Sequence, residues 1–204
     1  MILQPTRKNI ETIIGHLLNG DVVIFPTDTV FGIGCTADNT RAIEKIYELK
    51  GREKTKSLLL NVPNITTIKK YATVNKTAQS LIKKFMPGAL SLILKVKTPT
   101  ILSNYTIRDG KIGIRIPNNK TLLYILKKIK LPLISTSCNL SGNPACLTAT
   151  DAEKIFGKKV IILDTKETLS GQSSTIIDPS GKEIKYIREG EIKFEKIKEF
   201  LNKV

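Results

Sequence analysis

The segment from Val22 to Lys56 constrains the fold of this 204-residue chain more than any other. It begins with the apolar run VVIF, which continues into a proline and a cluster of threonine and glycine residues. A helix-like stretch over 39–50 follows, and it leads to three cations, Lys50, Arg52 and Lys56. α/β proteins commonly build ligand sites where a buried strand leads into a polar loop. Cations that arrive one helix later therefore predict an anionic ligand.

Strand-like and helix-like patterns mix irregularly along the rest of the chain. Apolar residues at helical spacing predict helices over residues 7–19, 39–50, 75–85, 121–129 and 193–203. Apolar runs and period-two alternation predict strands over 22–25, 57–62, 90–96, 112–116, 133–134, 160–163 and 175–177. No clean βαβ rhythm emerges, so we predict an α/β fold of α+β character, with helices flanking a twisted sheet of mixed parallel and antiparallel strands. The length predicts one domain over residues 1–204.

The charge balance indicates a polyanionic partner. The chain has 33 Lys and Arg residues against 18 Asp and Glu residues, a formal net charge of +15. Such a surplus attracts polyanions such as RNA. A compositional bias towards Lys, Ile and Asn without any particular partner is the alternative explanation. Aromatic residues make up only 5% and Trp is absent, so a stacking platform for single-stranded nucleic acid is not expected.

Several catalytic classes lose support because the residues that they need are missing. The single histidine, His16, lies between apolar positions of the first predicted helix, which is typical of a structural residue. A Ser-His-Asp triad, a Cys-His nucleophile pair and a zinc site are therefore not expected. The phosphate-loop pattern GxxxxGKS/T and the dinucleotide pattern GxGxxG are also absent from the sequence. A nucleotide bound by this chain would need a different kind of site.

The cysteines and the hydropathy pattern predict a cytoplasmic location. Cys35, Cys138 and Cys146 are odd in number and lack CxxC spacing, so we expect small, buried, reduced thiols without a redox role. No apolar stretch approaches the ~20 residues that a membrane helix needs. The N-terminus is mixed in polarity and does not read as a signal peptide. We therefore expect no membrane partner.

Hydroxyl-rich or cationic segments recur beside other predicted strands. Arg115 interrupts the apolar alternation IGIRI, and because an unpaired buried charge is costly, it needs a partner such as a ligand carboxylate. Lys111 precedes that strand and adds a second cation. The segments 134–142 and 171–175 are rich in hydroxyls, and 188–190 carries another arginine. Each segment alone is compatible with ordinary turn or helix-end chemistry, but together they predict one polar, anion-binding cleft at a sheet edge.

The order of the motifs resembles that of a known family. PTDTVFGIG, AIEKIYELKGR, PGALSLIL, IGIRIPN, ISTSCNLSG, SSTIID and IREGEI together resemble the YrdC family of threonylcarbamoyl-AMP synthases, across approximately residues 10–190. Phe31 stands where the family usually has tyrosine, and Cys138 stands in the middle of the family's SAN triplet. The resemblance is to the single-domain type, without an additional C-terminal domain.

The resemblance implies a reaction and its partners. In this family L-threonine and bicarbonate combine to a carbamate, which attacks the α-phosphate of ATP and releases pyrophosphate. ATP is a substrate there and is expected with Mg²⁺. A partner transferase complex then moves the threonylcarbamoyl group to an adenosine next to the anticodon of certain tRNAs. The carbamate is itself the nucleophile, so the reaction needs positioning and charge neutralisation rather than a histidine or cysteine.

Carried over by motif position, the resemblance also implies a role for eleven side chains. Those implied to contact ATP are Lys50, Arg52, Lys56, Lys111, Asn139 and Arg188. Those implied to hold L-threonine are Thr29, Asn61, Arg115, Ser137 and Ser174. Lys50 and Arg52 are also expected to act in catalysis by neutralising charge on the triphosphate. No residue is implied as a dedicated metal ligand, and Asp28 has two open roles, a cap of its own loop or a contact to Mg²⁺.

Two other functions remain open at this point. The first is a basic RNA-binding or ribosome-assembly module that uses the same cleft, which the charge of +15 favours. The second is a related enzyme that forms a carbamoyl-adenylate or another acyl-adenylate. Substrate profiling separates the second alternative from threonylcarbamoyl-AMP synthesis, whereas composition does not.

Overall fold

A ten-stranded mixed sheet organises the chain, and the structure, a computed structural model, describes residues 1–203. The strands are β1 (Ile2–Leu3), β2 (Val23–Pro26), β3 (Phe31–Thr36), β4 (Leu59–Asn61), β5 (Leu90–Lys95), β6 (Lys111–Arg115), β7 (Leu133–Ser137), β8 (Ile161–Leu163), β9 (Thr175–Asp178) and β10 (Lys185–Arg188). Their order is β1-β8-β2-β3-β7-β4-β6-β5-β9-β10. Parallel pairs such as β4 with β6 alternate with antiparallel pairs such as β5 with β6, which confirms the predicted mixed sheet.

Within residues 1–203, seven α-helices flank the sheet, and most of them begin at a polar cap. They are α1 (Arg7–Leu18), α2 (Thr40–Lys50), α3 (Ile65–Tyr71), α4 (Lys76–Phe85), α5 (Lys120–Ile129), α6 (Ala149–Phe156) and α7 (Phe194–Leu201). Four of them start at an asparagine whose side chain accepts a backbone N–H of the first turn, namely Asn39, Asn64, Asn75 and Asn119. Asparagine is among the best N-cap residues, so these positions fix where the helices begin.

The pleat of the strands separates an apolar face from a polar one. Successive strand residues point to opposite faces, and in β6 this sends Ile112 and Ile114 into the main core under α2, α3, α4, α6 and α7. A second core on the other face contains α1 and α5 with residues of β2, β7 and β8. The strands β4, β6 and β9 contribute no residue to this second core. Their outward face therefore remains available for a site.

The structure differs from the sequence predictions at several elements. Residues 31–36, for which the sequence predicted no element, form the buried strand β3, paired with β2 and β7. β7 extends to Ser137, so part of the hydroxyl-rich segment 134–142 is strand. Tertiary pairing overrides the weak strand propensity of glycine and serine here. The elements β1, α3 and α6 were not predicted, and all three are short.

Among the described residues 1–203, no helix combines the length and the apolar character that a membrane crossing requires.

Candidate active site

A cavity of about 520 Å³ lies on the polar face of the sheet, within the usual size range of small-molecule sites. Strand alternation builds it: Asn61, Arg115 and Ser135 point into the cavity, while their strand neighbours Leu60 and Ile114 lie in the main core. The register places Asn61 opposite Arg115. Side chains that are far apart in sequence therefore meet on one surface.

Eight of the eleven predicted site residues line this cavity. They are Thr29, Arg52, Asn61, Lys111, Arg115, Ser137, Ser174 and Arg188. Lys50, Lys56 and Asn139 are not among the lining residues. Nine lining residues with polar or charged side chains were not singled out by the sequence as ligand contacts, namely Thr27, Ser57, Arg108, Asp109, Ser135, Thr136, Ser173, Asp178 and Lys185.

Arg115 is the centre of a hydrogen-bonded group at the cavity wall. Its guanidinium donates to the Gly88 carbonyl (2.9 Å), to Thr29 Oγ1 (3.0 Å) and to Asp28 Oδ1 (2.7 Å). Burial lowers the pKa of Arg115, and the Asp28 carboxylate counteracts this effect. The Thr29 hydroxyl is held in turn by the Thr27 hydroxyl at 2.9 Å. The structure thus directs Asp28 to Arg115, a role that the sequence did not suggest.

Paired polar side chains form the floor beside Arg115. Asn61 Nδ2 donates to Ser135 Oγ at 2.7 Å, and the hydroxyls of Ser91 and Ser174 lie 2.9 Å apart. These contacts hold the side chains in fixed orientations, as a pre-organised binding surface requires. Ser135 carries a clear signal in retrospect, because it lies two residues before Ser137 and strand periodicity puts both on the same face.

Cations dominate the charged groups that line the cavity. The ionisable groups that line the whole cavity are six cations (Arg52, Arg108, Lys111, Arg115, Lys185 and Arg188) and two carboxylates (Asp109 and Asp178). Partial burial, and then the charges of Arg115 and Arg52, lower the pKa of Arg188. Like charges so close together are unfavourable without counter-charge, and a polyanionic ligand would supply it.

Among these cations, Arg52 gives the clearest sign of a missing partner. Its Nη2 donates to the Ser57 carbonyl at 3.1 Å, and burial lowers its pKa. Its Nε is the one buried side-chain nitrogen or oxygen within residues 1–203 that has no hydrogen-bond partner. An unsatisfied buried donor is costly, so a ligand oxygen at this position would be strongly favoured.

Lys111 and Arg188 are held by neighbouring groups. Lys111 Nζ lies 2.6 Å from Asp178 Oδ2. Burial alone would raise the pKa of Asp178, but hydrogen bonds from Lys111 and Ser180 bring it below its ordinary value. Arg188 donates to the Ser174 carbonyl from Nε (3.2 Å) and Nη2 (2.7 Å). The structure therefore fixes both cations at the cavity wall without neutralising Arg188.

Lys50 lies behind the cavity wall, and its side chain is only 1% exposed. Its ammonium donates to the Ser137 carbonyl (2.6 Å), the Asn139 carbonyl (2.5 Å) and Asn139 Oδ1 (3.0 Å). An ammonium has three N–H donors, so all of them are used within the protein. Asn139 Oδ1 also accepts the Ser137 hydroxyl at 2.7 Å. Lys50 and Asn139 thus form the support of Ser137, whose side chain reaches the cavity.

The thiols and the histidine lie outside the cavity lining. Cys35, Cys138 and Cys146 are free and buried, and burial raises the pKa of the Cys35 thiol. His16 Nδ1 lies 2.7 Å from Asp21 Oδ2 near the end of α1, as a structural residue would. Within the described part of the chain, no three His, Cys, Asp or Glu residues are grouped so as to hold a metal ion.

Comparison with known proteins identifies the family. The model of the Sua5/YciO/YrdC family, described as "Telomere recombination", matches residues 16–190. The chain belongs to the Sua5/YciO/YrdC family. This family member is 37% identical over 196 residues to a Methanocaldococcus jannaschii protein, across 95% of this chain and 91% of that protein.

Two further relatives of this Sua5/YciO/YrdC chain are longer proteins. The threonylcarbamoyl-AMP synthase of Bacillus subtilis is 35% identical over 163 residues, which cover 79% of this chain and 47% of that protein. The threonylcarbamoyl-AMP synthase of Pyrococcus abyssi is 30% identical over 192 residues, which cover 93% of this chain and 56% of that protein. The chain therefore spans about half the length of these two relatives.

Solved structures of the family share the fold. Pyrococcus abyssi Sua5 complexed with L-threonine superimposes with a TM-score of 0.93 and 26% identity, across 100% of this chain and 62% of that one. Escherichia coli YciO superimposes with a TM-score of 0.84 and 23% identity, across 97% of this chain and 98% of that one. The predicted YrdC-like fold, a mixed sheet flanked by helices, is thereby confirmed.

Proposed function

We propose that this protein is a threonylcarbamoyl-AMP synthase, which forms threonylcarbamoyl-AMP and pyrophosphate from L-threonine, bicarbonate and ATP. The observation that carries the proposal is one cavity whose lining combines two chemically different groups of side chains. Arg115, Thr29 and Asn61 are suited to an amino acid, and Arg52 and Arg188 are suited to phosphates. The names of the B. subtilis and P. abyssi relatives and the L-threonine bound by P. abyssi Sua5 support the same assignment.

L-threonine fits beside Arg115 through its carboxylate. A guanidinium has five N–H donors, and Arg115 uses three of them towards Gly88, Thr29 and Asp28. The remaining two can bind a substrate carboxylate in the fork geometry that arginine favours. Ser137, Ser174 and Asn61 then present hydroxyl and amide groups to the rest of the amino acid.

The triphosphate fits next to Arg52 and Arg188. The amine of L-threonine combines with bicarbonate to an N-linked carbamate, and one water molecule is released. An oxygen of the carbamate carboxylate then forms a bond to the α-phosphorus of ATP while the bond to pyrophosphate breaks, and the leaving pyrophosphate takes that electron pair. The cations neutralise charge that develops on the phosphates, which is the main requirement of phosphoryl and nucleotidyl transfer. Mg²⁺ would enter as the counter-ion of ATP, and Asp109 and Asp178 are the lining carboxylates that could contact it.

The other side chains that the resemblance implied as ATP contacts have different proposed roles in the structure. Lys111 is proposed to contact ATP while paired with Asp178. Lys50 and Asn139 are proposed to act through Ser137 rather than by touching phosphate, because their polar atoms are bound to each other. Lys56 is exposed and lies 3.7 Å from Glu53, so a contact to ATP would require its loop to move.

The proposed product is a substrate for a later reaction, which we infer to be the modification of tRNA. Threonylcarbamoyl-AMP is an activated acyl group, so the next step is transfer to a nucleophile with release of AMP. We propose that a partner transferase complex carries out that step on the adenosine next to the anticodon of tRNA, in the cytoplasm. Residues 1–203 share one sheet, which supports a single YrdC-like domain.

Adenylate formation tests the proposal directly. Purified protein with L-threonine, bicarbonate and Mg-ATP should produce threonylcarbamoyl-AMP and pyrophosphate, detected by mass spectrometry and a pyrophosphate assay. Omission of threonine or bicarbonate should abolish the product. A threonine-independent adenylate made from carbamoyl phosphate or another acyl donor would instead favour the related acyl-adenylate enzyme. No adenylate with any donor would overturn the proposal.

A further inference from the structure

Arg108 lies at the boundary between the cavity and a second, neighbouring space. It lines the cavity of about 520 Å³ and also a groove of about 710 Å³, whose other lining residues include Lys54, Ser103 and Tyr105. Within residues 1–203, no other residue lines both of these spaces. The side chain of Arg108 is exposed, so a ligand in the cavity can reach its guanidinium from solvent.

A tight turn fixes the backbone of Arg108. Arg108 N donates to the Lys111 carbonyl at 2.9 Å, and Lys111 N donates to the Arg108 carbonyl at 2.8 Å. The two residues between them, Asp109 and Gly110, have φ angles of 48° and 68°. Asp-Gly with positive φ at both positions is typical of a type I′ hairpin turn. Arg108 is therefore held in a fixed position relative to Lys111, which also lines the cavity.

The guanidinium of Arg108 has few partners within the protein. Its Nη2 donates to the backbone carbonyl of Lys54. Within residues 1–203, no carboxylate lies within 4.0 Å of it, whereas Lys111 and Arg115 of the same cavity each have one. A guanidinium has five N–H donors in a planar fork, so Arg108 keeps most of them for a ligand.

Arg52 and Arg108 are neighbours in the folded protein. Burial raises the pKa of the Tyr47 hydroxyl, and the positive charges of Arg52 and Arg108 both oppose this effect. Each of the two guanidiniums also donates to a backbone carbonyl of the segment 52–57. Two cations that share one hydroxyl and one short segment repel each other, and an anion that contacts both would relieve the repulsion.

The cavity contains fewer phosphate-binding cations than the family resemblance implied. Lys50 is hydrogen-bonded behind the wall, and Lys56 is exposed and outside the lining. Arg52 and Arg188 line the cavity without a carboxylate partner, but ATP carries several negative charges on its three phosphates. Arg108 has the free donors, the fork geometry and the fixed backbone that phosphate binding favours.

We propose that Arg108 is a further substrate-binding residue of the active site, which contacts the phosphates of ATP that leave as pyrophosphate. This assignment rests on the proposed function. The α-phosphate must lie next to the carbamate on L-threonine, and Arg115, beside which the threonine carboxylate fits, is only 5% exposed. The β- and γ-phosphates then extend away from this buried group, towards an exposed cation of the lining such as Arg108.

A purely structural role of Arg108 makes a different prediction. In that role the side chain only holds the segment 52–57 through the Lys54 carbonyl, which requires an N–H donor but no charge. Phosphate binding requires the positive charge. Arg108→Gln keeps N–H donors and removes the charge, whereas Arg108→Lys keeps the charge and removes the fork, so the two variants separate the roles.

Pyrophosphate binding, measured by isothermal titration calorimetry at low salt, tests the proposal without turnover. Arg108→Gln and Arg108→Ala should each weaken binding at least about tenfold, and Arg108→Lys should retain most of the affinity. Arg41→Ala removes an exposed arginine outside the cavity and should change Kd less than about twofold. The affinity for AMP, which lacks the leaving phosphates, should be unchanged in every variant. In the adenylate assay, KM for ATP should rise in Arg108→Gln while KM for L-threonine stays constant.

Three outcomes would overturn the role of Arg108: wild-type pyrophosphate affinity in Arg108→Gln, rescue by Gln but not by Lys, or an equal loss of affinity for AMP and pyrophosphate. Unfolding curves of the variants should match that of the wild type, because the side chain is exposed. If the wild type forms no adenylate but its pyrophosphate binding depends on the charge of Arg108, the proposed function fails and the phosphate contact stands. If adenylate forms and Arg108→Gln binds pyrophosphate normally, only the role of Arg108 fails.

Discussion

At the scale of single residues, buried charges decide how the site is built. Lys50 and Arg115 are 1% and 5% exposed, and each is surrounded by acceptors of the protein itself. A buried charge is tolerated only where it is paired or fully hydrogen-bonded. Both side chains therefore fix the positions of neighbouring groups, Ser137 and Asn139 for Lys50 and Thr29 for Arg115.

Replacement of Lys50 by methionine should disrupt the support of Ser137. The variant Lys50→Met keeps the length of the side chain but leaves three buried acceptors without their donor. We expect a loss of roughly 2–4 kcal/mol in the free energy of unfolding, measured by urea denaturation, because each unsatisfied buried group costs about 1–3 kcal/mol. Lys45→Met, on the exposed side of the same helix, is the control and should change stability by less than about 0.5 kcal/mol.

The titration of Lys50 should make this stability difference depend on pH. Burial lowers the pKa of Lys50 to about 8, whereas an unfolded lysine titrates near 10.4. Between these values the unfolded chain binds the extra proton, so the contribution of Lys50 to stability rises with pH in this window. The unfolding free energy of the wild type relative to Lys50→Met should therefore increase between pH 8 and pH 10. A flat difference would show that the ammonium keeps its proton.

Asp28 should control the affinity for L-threonine through Arg115. Asp28→Asn removes the charge that balances the guanidinium and weakens its orientation, so KM for L-threonine should rise at least about fivefold with a smaller change in kcat. Asp28→Ala should in addition lower stability by up to about 3 kcal/mol, because it leaves a buried cation unpaired. Asp38→Asn, at an exposed position, should leave both constants unchanged. An unchanged KM in Asp28→Asn would refute the role.

At the scale of elements, strand alternation and glycine decide which surface is apolar and which is polar. Gly34 in β3 is a position where a larger residue cannot be accommodated, because a Cβ there would meet the backbone carbonyl of Ile134 on β7. Because glycine has no Cβ, β3 and β7 can pair closely at this position, next to the ring of Phe25. The glycine at position 34 thus allows residues 31–36 to form a central strand.

Two glycine substitutions should have opposite effects. Gly34→Ala should destabilise the protein by more than about 2 kcal/mol, since backbone atoms must move to accept the methyl group. Gly15→Ala, in the middle of α1 where nothing lies within 4 Å of the added Cβ, should stabilise by up to about 1 kcal/mol. Thermal unfolding of the two variants measures both signs. A mild effect at Gly34 would contradict the close approach of β3 to β7.

At the scale of the whole molecule, the sheet collects charge from distant parts of the chain. The six cations and two carboxylates of the cavity come from segments between Arg52 and Arg188. Their positive charge is concentrated in one place only in the folded state, because these groups lie far apart in the unfolded chain. An anion that enters the cavity should accordingly stabilise the fold.

Pyrophosphate is a convenient probe of this stabilisation. At about a hundredfold excess over its Kd it should stabilise the wild type by about 3 kcal/mol, seen as a rise in Tm. The variant Arg52→Ala/Arg188→Ala should lose most of that rise. Arg41→Ala on the exposed side of α2 removes a cation outside the cavity and should retain it. An equal rise in Tm in all three proteins would show that pyrophosphate binds outside the cavity.

The sequence alone predicted the class of fold and part of the cavity lining. Periodicity located the main helices and strands, because these are local properties. The family resemblance of the motifs pointed to Thr29, Arg52, Arg115, Ser137 and Arg188, and all five line the cavity together with polar side chains that the sequence did not nominate.

Only the tertiary structure decided what each side chain contacts. Lys50 and Arg52 are two residues apart, yet the first is buried against Asn139 and the second faces the cavity with an unpartnered Nε. Likewise Asp28 meets Arg115 and Lys111 meets Asp178 across the sheet. Strand order and register determine these contacts, and both arise from long-range packing that a single sequence does not specify.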